Sequence, residues 1–300
     1  MSLVVTKLDL PVPATYQGKV RDTYDLGEKL LFVATDRISA FDVILPCGIP
    51  DKGFVLNQIS AFWFKKTDNL VPNHMIELVD DKRQLSNILP GTKLPETLLG
   101  RSMIVTRAKR VPVEAVVRGY LSGSAWEEYK KKGTISGNKV ASGLKESDKL
   151  PEPLFTPTTK ADAGHDMPLN IAETEDLLGK ETAKMVKEKS IAIYLYAMEY
   201  AASRGIIIAD TKFEFGFIDN KLILIDELLT PDSSRFWDQK SYSPGKSQPS
   251  FDKQPVRDWL SQSGWNKEPP APMLPEEVIK QTSERYKAAY RIITGRDISR

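Results

Sequence analysis

The stretch that decides the fold is IIIADTKFEFGFIDNKLILIDE, Ile206 to Glu227. It reads as two strands around a tight turn at Asp219-Asn220, with the alternation that a pleated chain requires. Lys212, Glu214 and Gly216 share one face of the first strand, and Phe213, Phe215 and Phe217 take the other. On the return, Leu222, Leu224 and Asp226 share a face opposite Ile223 and Ile225. Turn length decides which residues meet, because a one-residue slip flips every side chain. A two-residue loop pairs Glu214 with Ile225 and puts Asp226 on the far face; a three-residue loop, Asp219 to Lys221, pairs Glu214 with Asp226. In the second register Asn220 or Lys221 takes the left-handed position, which Asn tolerates best. Two facing carboxylates repel, so that register makes sense with a divalent cation between them, and Mg²⁺ uses one or two carboxylates plus substrate phosphates. The pattern also fits an ordinary hairpin with Lys212, Glu214 and Asp226 in water, although Leu222 and Leu224 argue against full solvation. An apolar floor beside a lysine and two acids suits a nucleotide pocket.

Working outward, VPVEAVVRGYLSGSAWEEY, Val111 to Tyr129, carries a strand with Glu114 into Arg118, then a Gly-Ser turn and a helix. Ser124 with Glu127 three residues on has the pattern of a capping box, and the helix's free N–H groups form an anion site next to Arg118. TYQGKVRDTYDL, Thr15 to Leu26, sets a glycine between strand-like runs before Lys19 and Arg21, as hairpin loops over ATP phosphates do and as plain surface turns also do. TDRISAFD, Thr35 to Asp42, places Asp36, Arg37, Ser39 and Asp42 just after a buried strand, where loops carry function. In PDSSRFWD, Pro231 to Asp238, Ser233, Ser234 and Arg235 can grip a phosphate.

Other chemistries fall away. Gly245-Lys246-Ser247 has Lys240 where a P-loop needs its first glycine, and no G-x-G-x-x-G follows a strand. Two histidines, His74 and His165, and a lone Cys47 are too few for a histidine or cysteine metal cluster. The charge balance of 42 basic against 40 acidic residues, interspersed, is not that of a nucleic-acid arm. One cysteine, no glycosylation acceptor and no long apolar run lead us to expect a cytoplasmic protein with no membrane partner. The 300 residues, 41% hydrophobic and 9% aromatic, supply ample core for one large or two ordinary domains.

Along the chain, Lys19 to Leu26 and Lys29 to Thr35 predict a hairpin around Gly27-Glu28. A helix follows at about 55–69, then strands at Ser102 to Ala108 and Val111 to Arg118. Ser136 to Ala172, polar and without period, is expected to be an active-site loop. A long helix covers about 180–204 with Gly205 as its stop, and Pro255 and Pro275 open two final helices near 256–263 and 276–294.

Together these segments closely resemble the SAICAR synthetase family (phosphoribosylaminoimidazole-succinocarboxamide synthases). VPVEAVVRGYLSGS at 111–124 and IADTKFEFG at 208–216 resemble its two signatures. GKVRDTY, TDRISAFD, TPTTKAD at Thr156 to Asp162 and LIDELLTPDSSRFWD at Leu224 to Asp238 fall in order around them. Ser233, one additional residue between Asp226 and Asp232, and the proline-flanked C-terminal helices resemble the fungal-type form. The resemblance implies an α+β, ATP-grasp-related, two-lobe fold. An antiparallel N-terminal lobe over residues 1–110 would face a mixed α/β lobe over 111–300, with ATP in a cleft between them.

It also implies an ATP-dependent ligase that joins L-aspartate to the carboxylate of carboxyaminoimidazole ribonucleotide (CAIR), giving SAICAR, ADP and phosphate in purine biosynthesis, by way of an acyl phosphate. By family position Glu214 and Asp226 hold Mg²⁺. Lys212, Asp210 and Arg118 are catalytic, and Gly18, Lys19, Arg21, Lys109, Glu114, Lys160 and Lys212 meet ATP. Arg118, Ser124, His165, Asp232, Ser234 and Arg235 bind substrate, with Asp36, Arg37, Ser39 and Asp42 the first candidates for L-aspartate; Asp162 belongs to the same loop as Lys160 and His165. A monomer is expected. The alternatives are a kinase-like or other ATP-grasp phosphotransferase with a different substrate and, from another class, a non-catalytic anion or RNA-binding module.

Overall fold

The structure is a computed structural model that describes residues 3–160 and 166–298. It divides into two compact units. The first takes the chain up to Phe62, His74–Arg107 and the stretch from Phe251 onward; the second takes Trp63–Asn73 and Ala108–Ser250.

In the first unit, β1 (Ala14–Gln17), β2 (Arg21–Asp25), β3 (Lys29–Ala34), β7 (Ser102–Thr106) and β6 (Met75–Val79) form an antiparallel sheet in the order β1-β2-β3-β7-β6. The β2–β3 hairpin forms where expected, with Gly27 at φ 83 and its N–H donated to Asp25 Oδ1 at 2.8 Å. Tyr24, Leu31, Val33, Val79 and Leu98 fill the core beneath this sheet, joined by Leu85 of the short α2 (Lys82–Ile88). A separate hairpin, β4 (Arg37–Ala40) and β5 (Val43–Gly48), precedes α1 (Lys52–Thr67).

In the second unit two long strands, β8 (Lys109–Tyr120) and β13 (Ile206–Ile218), pair antiparallel through the middle of a sheet. With β11 (Lys149–Phe155) and β14 (Lys221–Ile225) the order is β11-β8-β13-β14, with β12 (Thr158–Thr159) also on β8 and β15 (Ser234–Asp238) also on β13. α3 (Ser124–Lys132) and the two-residue β9 (Thr134–Ile135) and β10 (Asn138–Lys139) follow β8. The stretch expected as a loop is largely structured: β11 (Lys149–Phe155) pairs with β8, with an irregularity between Lys149 and Leu154. Its two prolines hide the strand from pattern reading, and they are tolerated because β11 lies at the sheet edge. α4 (Ile171–Leu178), closed by an Asn170–Glu173 capping box, precedes the expected long helix, α5 (Lys180–Ala202). α5 buries Ala183, Val186, Ile193, Ala197 and Ala201, and Tyr194 donates its hydroxyl to the Ile208 carbonyl at 2.7 Å.

β14 (Lys221–Ile225) returns on β13 in the two-residue register: Ile218 pairs with Lys221 and Glu214 with Ile225. Asp219 and Asn220, at φ 48 and 63, both adopt the left-handed conformation that a two-residue turn of this hand requires. The three-residue register is thereby overturned. Asp226, at φ 72, leaves the strand conformation, and its charge acts on Glu214.

The chain then returns to the first unit, where α6 (Gln254–Gln262) and α7 (Glu276–Thr294) form near the two prolines. Val256 and Leu260 of α6, with Leu274, share a core with Ile38, Leu45 and Ile49 beneath the β4–β5 hairpin. A single boundary near residue 110 therefore differs from the packing, which groups 251–300 with the N-terminal segments. Among the described residues no helix is long and apolar enough to cross a membrane.

Candidate active site

Between residues 210 and 214 the β8–β13 ladder is regular, pairing Asp210 with Arg118, Lys212 with Val116 and Glu214 with Glu114. Alternation then puts Asp210, Lys212 and Glu214 on one face beside Arg118 and Glu114. The face carries two polar clusters.

The first is acidic. Glu114 and Glu214 are both buried, and like charges directly opposite on paired strands destabilise a sheet. Lys160 resolves the conflict: its ammonium donates to Glu114 Oε1 at 2.6 Å and to Glu214 Oε1 at 2.8 Å. Lys160 follows β12, and its own N–H is donated to the Pro112 carbonyl at 3.1 Å. Lys212 donates to Glu114 Oε1 at 3.0 Å while more than a third of its side chain stays exposed. Burial pushes the Glu114 carboxyl up, but Lys212 and Lys160 outweigh burial and hold it below the usual range. Glu214 goes the other way, pushed up to about 7 by burial and the charge of Asp226, against the pull of Lys160 and Lys212. Both lysines are raised: burial works against their charge, and Glu114 and Glu214 more than compensate, so they are cationic donors at neutral pH.

The second cluster is cationic. Asp210 Oδ2 accepts from Arg118 Nη1 at 3.3 Å, Ser122 Oγ at 3.1 Å and Arg235 Nη1 at 2.5 Å. Arg118, buried, is also fixed by Thr156 Oγ1 at 3.0 Å and Ser124 Oγ at 3.2 Å. The expected capping box is absent. Gly123 is the N-cap of α3, no side chain caps it, and Ser124 is the first helical residue, with its hydroxyl turned to Arg118. Gly123 is required there: it has φ 57, and a Cβ would lie 2.4 Å from Arg235 Nη2. The helix N-terminus and two guanidiniums together suit an anion.

The remaining expected residues fall as follows. Ser234 shares a buried hydrogen bond with Thr211, at 2.8 Å between their hydroxyls, and Asp232 lies in a turn where its N–H reaches Thr230 Oγ1 at 3.2 Å. Lys109 is exposed at the start of β8, outside the hydrogen bonds of either cluster. His165 and Asp162 lie outside the described residues. Thr156, Ser122 and Thr211 were missed; each is an ordinary hydroxyl whose role comes from tertiary placement, Thr211 within β13 and Ser122 and Thr156 just past the ends of β8 and β11, which no local pattern announces.

In the first unit, Gly18 closes a turn by donating its N–H to the Arg21 carbonyl at 2.7 Å, and a Cβ there would meet that oxygen at 2.9 Å. Lys19 pairs with Asp42, and Arg21 lies over the Phe32 ring. Asp36 is fully buried. It accepts from Arg101 at 3.0 and 3.3 Å, from the Val5 N–H at 2.7 Å and from the Gly53 N–H at 2.9 Å. Arg37 binds Asp22 at 2.5 and 3.2 Å and the Gly18 carbonyl at 3.0 Å. Asp36 and Arg37 thus have their hydrogen bonds committed inside the fold, and Ser39 is buried on β4.

The sequence profile of the SAICAR synthetase family matches residues 14–272. A phosphoribosylaminoimidazole-succinocarboxamide synthase of Thermodesulfovibrio yellowstonii is 56% identical over 93% of this chain and 94% of its own. That of Geobacter metallireducens is 52% identical over 99% of both. Among solved structures, SAICAR synthase from Saccharomyces cerevisiae complexed with SAICAR superposes with a TM-score of 0.90 at 43% identity, covering 99% of this chain and 100% of that one. A SAICAR synthetase in complex with ADP gives 0.68 at 26%, covering 95% and 99%. The fungal-type label does not carry over as a mark of origin, since bacterial relatives match over the whole length. The fold, the ordered signatures and these likenesses agree: the chain belongs to the SAICAR synthetase family, ATP-dependent ligases of purine biosynthesis.

Proposed function

We propose that this chain joins L-aspartate to CAIR with its β8–β13 face as the reaction centre, the cationic cluster holding the nucleotide substrate's phosphate and the acidic cluster serving ATP. The observation that carries this reading is the placement of both clusters on one face of a regular ladder, with Lys212 between them. Arg118, Arg235 and the start of α3 offer the phosphate a preformed anion site, while Asp210, whose Oδ2 accepts from both guanidiniums, positions them. Lys212, anchored by Glu114 and open on its other side, donates to a phosphoryl oxygen and stabilises charge as it moves between ATP and the CAIR carboxylate. Lys160 contributes a second ammonium for the phosphates. In the first unit, the Gly18 turn, with Lys19 and Arg21, is proposed as a phosphate-binding turn, and Ser39 and Asp42 remain the candidates for L-aspartate.

Mg²⁺ fits the donors present. Glu214 and Asp226 supply hard carboxylate oxygens, the charge of Asp226 acts on Glu214, and among the described residues no group of three His, Cys, Asp or Glu side chains is placed to hold a metal ion. That suits an ion completed by phosphates and water. When bound it supplies charge neutralisation across the ATP phosphates. A carboxylate is a poor electrophile, so phosphorylation to an acyl phosphate precedes attack by the amine of L-aspartate, with inorganic phosphate leaving. One copy of the chain suffices for every residue named, in keeping with a monomer.

The test is ADP release with CAIR, L-aspartate and Mg²⁺ omitted one at a time. Loss of turnover on each omission is expected. ADP release with CAIR at a rate indifferent to L-aspartate would revive the phosphotransferase reading, which family membership disfavours. Glu214→Gln and Asp226→Asn should each abolish turnover with folding retained, and wild-type rates in both would end the metal assignment.

A further inference from the structure

The β8–β13 ladder ends at the pair that anchors the cationic cluster. Asp210 opposite Arg118 is the first pairing of the two strands, although β13 begins at Ile206 and β8 continues to Tyr120. On the other side of β13 the register with β15 shifts between Ile208 and Asp210, so both neighbouring pairings change within two residues of Asp210. The hydroxyl of Tyr194 occupies this point. Tyr194 is fully buried on α5 and donates to the Ile208 carbonyl at 2.7 Å. Gly119, next to Arg118, leaves room for it: a Cβ there would lie 2.0 Å from the hydroxyl oxygen. A glycine inside a strand weakens it and marks a close approach, and here the approach is made by a side chain from a helix. Burial pushes the Tyr194 hydroxyl up and outweighs a hydrogen bond from the Gly119 backbone that draws it down, so the group stays a donor at neutral pH.

We infer that Tyr194 is a positioning residue for the nucleotide substrate: its hydroxyl ties the end of the ladder to α5 and so holds Arg118 and Asp210 in the aim that the CAIR phosphate requires. The inference rests on the cationic cluster being the CAIR site. The end of a ladder opens more readily than its middle, and a buried side chain anchored on a helix of 23 residues opposes that opening. Without the hydroxyl the Ile208 carbonyl loses a buried donor, and the strand end that carries Asp210 is free to shift against Arg118. Glu114 and Glu214 lie at the opposite end of the regular ladder, so the effect is confined to one substrate.

Steady-state kinetics of Tyr194→Phe in the full chain provide the test, with each substrate varied at saturation of the others and well below the unfolding midpoint. KM for CAIR should rise about fivefold, the equilibrium worth of one ordinary hydrogen bond, while KM for ATP and kcat stay within about twofold. Gly119→Ala, which drives the hydroxyl away through its partner, should give the same split, and it serves if the phenylalanine variant does not fold. A hydroxyl that only stabilises the fold would lower the urea midpoint without separating the two substrates. An unchanged KM for CAIR, or a parallel rise for CAIR and ATP, therefore overturns the inference. Arg235→Gln separates the two levels. If it raises KM for CAIR while Tyr194→Phe and Gly119→Ala do not, the positioning role alone is wrong; if it leaves KM for CAIR unaltered, the site reading is wrong and the inference falls with it.

Discussion

Asp210→Ala isolates the electrostatics of the cationic cluster. Among the described residues Asp210 is the one carboxylate hydrogen-bonded to the Arg118 guanidinium, whose side chain is only 10% exposed. Its other hydrogen-bond partners among the described residues are the neutral hydroxyls of Thr156 and Ser124. Removing one member of a buried pair leaves an uncompensated charge and costs about 3–5 kcal/mol. Arg235, with a third of its side chain exposed, recovers hydration and adds about 0–1 kcal/mol at most. The expected loss is thus about 3 kcal/mol, or roughly 10 °C in the calorimetric midpoint of a unit this size. Scanning calorimetry of the full chain measures it, and the double variant Asp210→Ala/Arg118→Met supplies the control. Deleting the stranded charge should recover about 2 kcal/mol, so the two substitutions are strongly non-additive. A cost below about 1 kcal/mol for Asp210→Ala, or a double variant no more stable than the single, would refute the assignment of a buried ion pair.

Other expectations concern the metal and two glycines. The Glu214 carboxyl is pushed up to about 7, so below that pH a divalent ion must expel a proton to bind it. Apparent Mn²⁺ affinity should fall about tenfold per pH unit below 7 and level off above it, as titration at several pH values would reveal; a flat profile excludes Glu214 as ligand. Because its folded value lies above the unfolded one, metal-free stability should also decline as pH rises from about 4.5 towards 7, and Glu214→Gln should flatten that slope in urea unfolding. Gly119→Ala would place a Cβ 2.0 Å from the hydroxyl of buried Tyr194, so denaturant unfolding should record a loss of about 2 kcal/mol or more. Gly123→Ala, which displaces Arg235, should raise KM for CAIR about tenfold or more with a smaller change in kcat; an unaltered KM removes Arg235 from the substrate site.

The central hairpin was legible because aromatic and polar residues alternate across Phe213 to Phe217, and period is what a strand imposes on its sequence. Its register was not. Two- and three-residue loops both satisfy the residues at 219–221, and the choice fell to Asp219 and Asn220 adopting the left-handed conformation together. Asp226 then left the strand in the left-handed conformation, a backbone event that an alternation argument cannot contain. Ser124 shows a local rule losing to a tertiary one: its hydroxyl serves Arg118 in preference to the helix end. β11 was lost because prolines at 151 and 153 read as loop until the sheet edge is known. Asp36 and Arg37 were read as substrate contacts because polar residues after a buried strand suggest function, yet Arg101, Asp22 and backbone groups engage them.

The unbroken ladder from Asp210 to Glu214 works as a gauge. Its pairing is irregular on either side, on β15 before Asp210 and on β8 after Glu214, and the four residue steps of about 3.3 Å between them set a backbone span of about 13 Å from Asp210 to Glu214. A bulge inserted within those steps would both stretch the gauge and rotate one end to the opposite side, so a single molecule could no longer be grasped at both. Loops elsewhere can lengthen freely, whereas this interval has one permitted length.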